Sequence, residues 1–148
     1  HARGQVHPRR RHLLRMTDPV SDRAEMIRHM RPELRPGRYV FAASDDPALA
    51  GAALAAFRED EGLSLILPEE AAAAAGLPTD PALRWIVLTV NSSLTGVGLT
   101  EAVSAALARY AIPCNVVAAL HHDHLFVPAE RAEDALGVLE HLSRSEDS

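Results

Sequence analysis

At 148 residues the chain can bury a real core but is too short for two full-sized domains, and its apolar runs fall far below the roughly 18 residues a membrane-spanning helix needs. All fifteen basic residues are arginine, five of them within residues 1–15 where there is no acid, so the remainder sets ten arginines against twenty acids; that −10 balance, with three Phe, two Tyr and one Trp, disfavours nucleic acid as a partner. The lone Cys114 excludes an internal disulfide, and no apolar signal core follows the basic start, so a cytoplasmic protein is expected.

Residues 1–16 begin with His1 and mix arginines with His7, Pro8 and His12 without periodicity. A disordered leader is expected there, with Met16 as a natural start; a targeting segment or a polyanion-binding arm is the alternative. From Asp18 to Arg31, Ala24, Ile27 and Met30 fall at helical spacing, and Arg35-Pro36-Gly37 then forces a turn, which predicts a short docking helix. Tyr39 to Ala43 reads as a buried strand. Asp46 followed by Pro47 is a helix start, an acid at the N-cap and proline at the first helical position, and Leu49, Ala53, Ala56 and Phe57 predict that this helix runs on to Phe57. Glu59-Asp60-Glu61 is expected as its solvated end. Leu63 to Leu67 reads as a strand, and Glu69 to Ala75 as a short helix ended by Gly76 and Pro78.

Leu77-Pro78-Thr79-Asp80-Pro81 is the one interior linker the composition offers, and beyond it the pattern restarts. Trp85 to Val90 is aliphatic and β-branched almost throughout, as in a strand buried on both faces. Leu99, Val103, Ala106, Leu107 and Tyr110 lie at helical spacing, with Glu101 in the first turn where the helix dipole favours a negative charge. Ile112 to Leu120 predicts another strand, turned back at His121-His122-Asp123 into His124 to Val127. Pro128 then opens a final helix whose apolar stripe is Ala132, Ala135, Leu136, Leu139 and Leu142. The second half, residues 81–148, thus reads β-α-β-β-α, and residues 17–80 read as a reduced version carrying the docking helix. An α+β protein of two tandem ferredoxin-like units follows, with antiparallel sheets and helices on one face, because each half has too little apolar surface to stand alone.

Asn91 to Leu99 joins a buried strand to a helix and contains Gly96 and Gly98. Glycines there admit a close approach of backbone to another group, and a helix start presents unpaired amide donors, so the junction suits a carboxylate; the plain alternative is a tight turn capped by Ser93 or Thr95. Without a lysine anywhere, a phosphate-binding loop of the Walker type is excluded. His121, His122, Asp123 and His124 are the densest cluster of metal-ligating types, yet alternate residues of an extended chain face opposite ways, so no metal site and no cofactor are expected. Ser92 and Ser93 lack a nucleophile-elbow pattern, and Cys114 sits within an apolar strand, where thiols are inert packing groups; no catalytic residue is assigned and the protein is expected not to be an enzyme.

Tyr39-Val40-Phe41, Glu61 to Leu67, Asn91 to Thr100, Ile112 to Ala118 and His122 to Pro128, the last three specific in their order and spacing, resemble a family of small bacterial tandem ACT-like proteins over about residues 34–142. The C-terminal half is also similar to the ACT domains of cytosolic arginine sensors, which share an Asp-His-x-x-Val-Pro stretch, here Asp123-His124-Leu125-Phe126-Val127-Pro128. The resemblance implies a small regulatory protein whose ACT-like units bind a free amino acid or similar zwitterion, the implied ligand-binding residues being Ser93, Thr95, Gly96, Val97, Gly98, Ala119 and Asp123. The carboxylate would dock on the amides of Gly96 to Leu99, and Asp123 with carbonyls near Ala119 would accept from the ammonium group. The sequence departs at Gly96, where the arginine sensor places a pocket glutamate, so the resemblance does not extend to arginine as the ligand. A ligand-free adaptor that associates through its ACT-like units, as a homodimer or on a metabolic enzyme, is the other function it implies.

Overall fold

The computed structural model describes residues 22–91 and 97–145. Helix α1, Arg23–Arg28, lies within the Asp18–Arg31 stretch where the sequence places a docking helix: the Asp22 carboxylate accepts a hydrogen bond from the Glu25 amide at 3.0 Å, which satisfies one of the orphan donors of the first turn. Met26, Ile27 and Met30, on and just after this helix, are fully buried. They belong to one core with Val103 and Leu107 of the later helix α4 (Leu99–Arg109) and Leu139 of the last helix, α5 (Ala132–Ser145), so α1 packs on the second half of the chain.

Two short extended pieces follow, β1 (Pro32–Leu34) and β2 (Tyr39–Ala43), separated by a turn in which Gly37 has φ +93°. Asp46 caps helix α2, Pro47–Ala52, by accepting from the Ala48 amide at 3.0 Å, with Pro47 in the first turn as predicted. The helix stops at Ala52, five residues short of the expected Phe57. Ala55–Glu59 instead form a strand, β3, paired residue for residue with β4, Gly62–Pro68. The reason is tertiary: alanine, a good helix former, carries little commitment of its own beside a partner strand, and the Asp60-Glu61 turn with Gly62 at φ +132° closes a hairpin that supplies the backbone hydrogen bonds a helix would have given. Glu59-Asp60-Glu61 is therefore a hairpin tip and not a helix end. Helix α3, Glu69–Ala74, completes the first strand-helix-strand-strand-helix series.

The second series is β5 (Leu83–Leu88), α4, β6 (Asn115–Ala118), β7 (Asp123–Pro128) and α5. Strand β6 is shorter than predicted because Ile112 still closes the preceding helix, its amide donating to the Leu107 carbonyl at 3.1 Å, and Pro113 has no amide to give to a ladder. Tyr110, assigned by periodicity to the buried stripe of α4, caps the helix instead and is 58% exposed. One turn of 3-10 helix, Ala129–Arg131, separates Pro128 from α5.

The strands form a single antiparallel sheet in the order β3-β4-β2-β5-β7-β6, with β1 beside the far end of β5. The two units meet where Tyr39 of β2 pairs with Leu83 of β5, while Pro32, Glu33 and Leu34 of β1 pair with Leu88, Val87 and Ile86. The stretch from Pro32 to Ala43 thus serves both: its first part edges the second unit and its second part runs through the first. Residues opposite one another in a ladder share a face. On one face Val40, Leu65 and Leu67 pack under Ala72 of α3 and Leu49 of α2, and Ile86, Leu88, Leu125 and Val127 pack under α1, α4 and α5. On the other, concave face lie Tyr39, Ile66, Leu83, Trp85 and Phe126, with Tyr39 edge-on to both Trp85 and Phe126 at 5.7 and 6.3 Å between ring centroids. The α+β expectation of two antiparallel ferredoxin-like units with helices on one face agrees with this architecture.

Candidate functional site

The junction singled out by the sequence runs from the end of β5 to the start of α4. Ser93, Thr95 and Gly96 lie outside the described residues. Val97 is 81% exposed. Gly98 is the N-cap of α4 at φ +108°, a conformation that L side chains rarely adopt, and its carbonyl accepts the first helical bond from Ala102 at 3.0 Å. No side chain among the described residues caps this helix, whose first turn lies at the positive end of the dipole.

Gly98 has a second reason to lack a side chain. A Cβ there would sit 2.6 Å from Cδ and 2.9 Å from Cγ of Arg23. The arginine stem of α1 thus lies across the start of α4, and its Nη2 reaches Oε2 of Glu101 in the first turn at 3.5 Å. Both charged ends are largely exposed, so the ion pair itself contributes little to stability. What it does is hold a guanidinium at the mouth of the junction. Periodicity assigned α1 only a packing role; the signal that Arg23 also reaches the junction is absent from any local pattern, because the contact spans 75 positions of sequence.

Asp123 is the one polar or charged residue buried among the described residues, at 7% exposure. It opens β7 and pairs across the ladder with Leu88 of β5 and Ala118 of β6. Leu88 belongs to the core that contains Leu99 and Val103, so Asp123 faces the side of the sheet on which α4 packs. A carboxylate at that depth demands compensation by hydrogen bonds or a positive partner. Ala119 stands apart from it. It is exposed, its amide donates to the His122 carbonyl at 3.0 Å within the β6–β7 turn, and its side chain borders the concave face of the sheet.

The histidines divide by environment. His122 Nδ1 lies 3.2 Å from the Val90 carbonyl, whereas His124 Nδ1 accepts a hydrogen bond from the indole N–H of Trp85 at 3.0 Å. Burial, helped by His122 and Arg35 and opposed by Asp123, holds the His124 imidazole below the usual histidine range. Cys114 has its thiol pushed up to about 11 by burial, which leaves almost no thiolate near neutral pH. Among the described residues no group of three or more His, Cys, Asp or Glu is arranged to hold a metal, and no helix is long and apolar enough to cross a membrane.

Two family models, each described as an ACT domain, match residues 19–84 and 82–141. Among solved structures, a Vibrio cholerae protein of unknown function, VC0802, with transport given as a possible role, is 43% identical over 78% of this chain and 91% of its own, at a TM-score of 0.71. The Agobacterium tumefaciens protein Atu0741 is 21% identical over 76% of this chain and 87% of its own, at 0.56. The regulatory subunit of aspartate kinase from Thermus flavus is 13% identical over 75% of this chain and 95% of its own, at 0.55. No curated protein matches the chain.

Proposed function

Because the chain belongs to the ACT-domain family and carries two of its domains in tandem, we propose that it is a regulatory protein that binds a free amino acid or similar small zwitterion where β5 leads into α4. ACT domains are regulatory modules, and the fold recurs in the regulatory subunit of an aspartate kinase. The observation that supports the reading is that an acid and a base lie on the same side of the sheet, around one core. Asp123 is buried on the α4 side of β7, and the Arg23 stem crosses the start of α4, which no side chain of the described residues caps. An ammonium group would be held by Asp123, with carbonyls near Ala119 as further acceptors. A carboxylate would be held by the amides that begin α4, by the loop containing Ser93, Thr95, Gly96 and Val97, and by the Arg23 guanidinium. Each charge-assisted bond contributes about 1.5–3 kcal/mol net, and a few of them reach the roughly 8 kcal/mol of micromolar binding.

Titration calorimetry of the whole chain against the twenty amino acids tests this. Saturable heat with at least one, lost in Asp123→Asn and weakened in Arg23→Ala, supports the site. Heat with none of them removes it.

The second reading, a ligand-free adaptor acting through ACT–ACT pairing, is favoured by strand β3. It ends the sheet and presents Phe57 at 73% exposure beside unpaired backbone groups of an edge. Sedimentation velocity with and without amino acids separates the two. A sensor changes its assembly or melting temperature with ligand, and an adaptor has the same assembly in both.

A further inference from the structure

The concave face of the sheet holds a cavity of about 130 Å3 that shares only Ala119 with the residues proposed for the junction. Leu54, Ile66, Trp85, Val117, His124 and Phe126 form most of its wall. Leu54 precedes β3 and Val117 lies on β6, strands at opposite ends of the order, so the curl of the sheet brings the outer strands of both units to one hollow.

The wall is apolar except at His124. An indole N–H only donates, so the hydrogen bond from Trp85 fixes Nδ1 of His124 as an acceptor and puts the proton of the neutral ring on Nε2. That Nε2–H has no hydrogen-bond partner among the described residues. The ring is half-buried, and burial keeps it neutral. A donor of this kind in an apolar wall favours an occupant that supplies an acceptor. Among the described residues no Asp, Glu or Arg lines the cavity, and the Arg35 guanidinium stacks over the Trp85 ring at 5.5 Å without being part of the wall, so an ion entering the hollow would lose its water with no counter-charge in direct contact. As to size, an apolar cavity of about 150 Å3 holds a benzene ring.

We propose that this hollow is a second binding site, for a neutral small molecule with a flat apolar body of about six to nine non-hydrogen atoms and one hydrogen-bond acceptor, which the Nε2–H of His124 engages between Trp85 and Phe126. β7 then serves both faces of the sheet, with Asp123 toward the helices and His124 toward the hollow. The site is independent of amino-acid binding at the junction.

Trp85 is the sole tryptophan, so in the nitrogen-15-labelled full chain its indole N–H gives one resolved NMR signal at the wall of the site. Acetophenone and ethylbenzene have nearly the same shape and differ in the carbonyl acceptor. Acetophenone is expected to shift the indole signal saturably, and ethylbenzene to bind about fivefold more weakly, the effect of one net hydrogen bond. Filling the hollow with Ala55→Phe, or from the opposite wall with Ala119→Phe, abolishes the shift in whichever variant retains the wild-type circular dichroism and cooperative melting. The proposal is overturned if neither compound gives a saturable shift, if the two bind equally, or if a folded filled variant binds as wild type does. It is also overturned if the indole signal moves with protein concentration alone, which would mean that a side chain of a second copy occupies the hollow.

Discussion

Gly98 shows how much of the site rests on single positions. Its φ of +108° and the Arg23 stem 2.6 Å from where a Cβ would stand act together, so Gly98→Ala combines backbone strain with a clash. We expect it to lose about 1–3 kcal/mol by urea denaturation. The double variant Gly98→Ala with Arg23→Ala should recover only part of that loss, because the clash disappears and the strain remains. Full recovery would show that φ contributes nothing. His124 makes a prediction about pH. Its imidazole is held below the ordinary range chiefly by burial, with His122 and Arg35 acting in the same direction and Asp123 against it. The unfolded chain therefore binds a proton first as pH falls. The His124 contribution to stability is complete above about pH 6.5, the ordinary value, and is lost as pH drops toward the lowered folded value. Protonation also sets two donors face to face, since Nδ1 could no longer accept from Trp85. Thermal melts from pH 8 to 5 should fall more steeply for the wild type than for His124→Phe, and equal slopes would refute the assignment.

Among the elements, α1 carries weight out of proportion to its six residues. Ile27 is fully exposed to neither solvent nor the first unit; it is buried with Val103, Leu107 and Leu139 of the second. Ile27→Ala should cost about 2–5 kcal/mol, and hydrogen exchange should accelerate in α4 and α5 before β3 and β4. Uniform acceleration would mean that the two halves unfold as one. The same element marks the limit of what local patterns reveal. Spacing of Ile27 and Met30 discloses a helix with an apolar side, and says nothing of which half it covers. The element with a recognised cap was the most legible at its start: Asp46 fixes its helix through a side-chain bond that any chain with that sequence can make, whereas the equivalent cap at Asp22 was missed. β3 was illegible for the opposite reason. Ala55-Ala56-Phe57 satisfies helical and extended patterns alike, and pairing with β4, a contact that exists only after the hairpin closes, decides between them.

At the scale of the whole molecule, two short units become one sheet because a single stretch, Pro32 to Ala43, is shared between them. The three strands of each half pair among themselves and are joined at Tyr39 and Leu83 and by β1, so the chain presents one helix-covered face and one concave face, and the two candidate sites fall one on each. The strand-helix-strand-strand-helix order of the second half was readable from periodicity, whereas the first half read as a reduced version without β3; the junction stood out by its glycines, and the family resemblance added Asp123 opposite it. The hollow on the concave face was not readable, since its wall joins residues from Leu54 to Phe126 that no spacing relates. The proposed zwitterion site lies between a buried acid and the start of α4. Calorimetric titration of wild type and Asp123→Asn with the twenty amino acids examines it most directly. The account predicts micromolar binding of at least one amino acid by the wild type and at least a tenfold loss in the variant. Equal affinity in the two proteins, or no binding by the wild type, would contradict it.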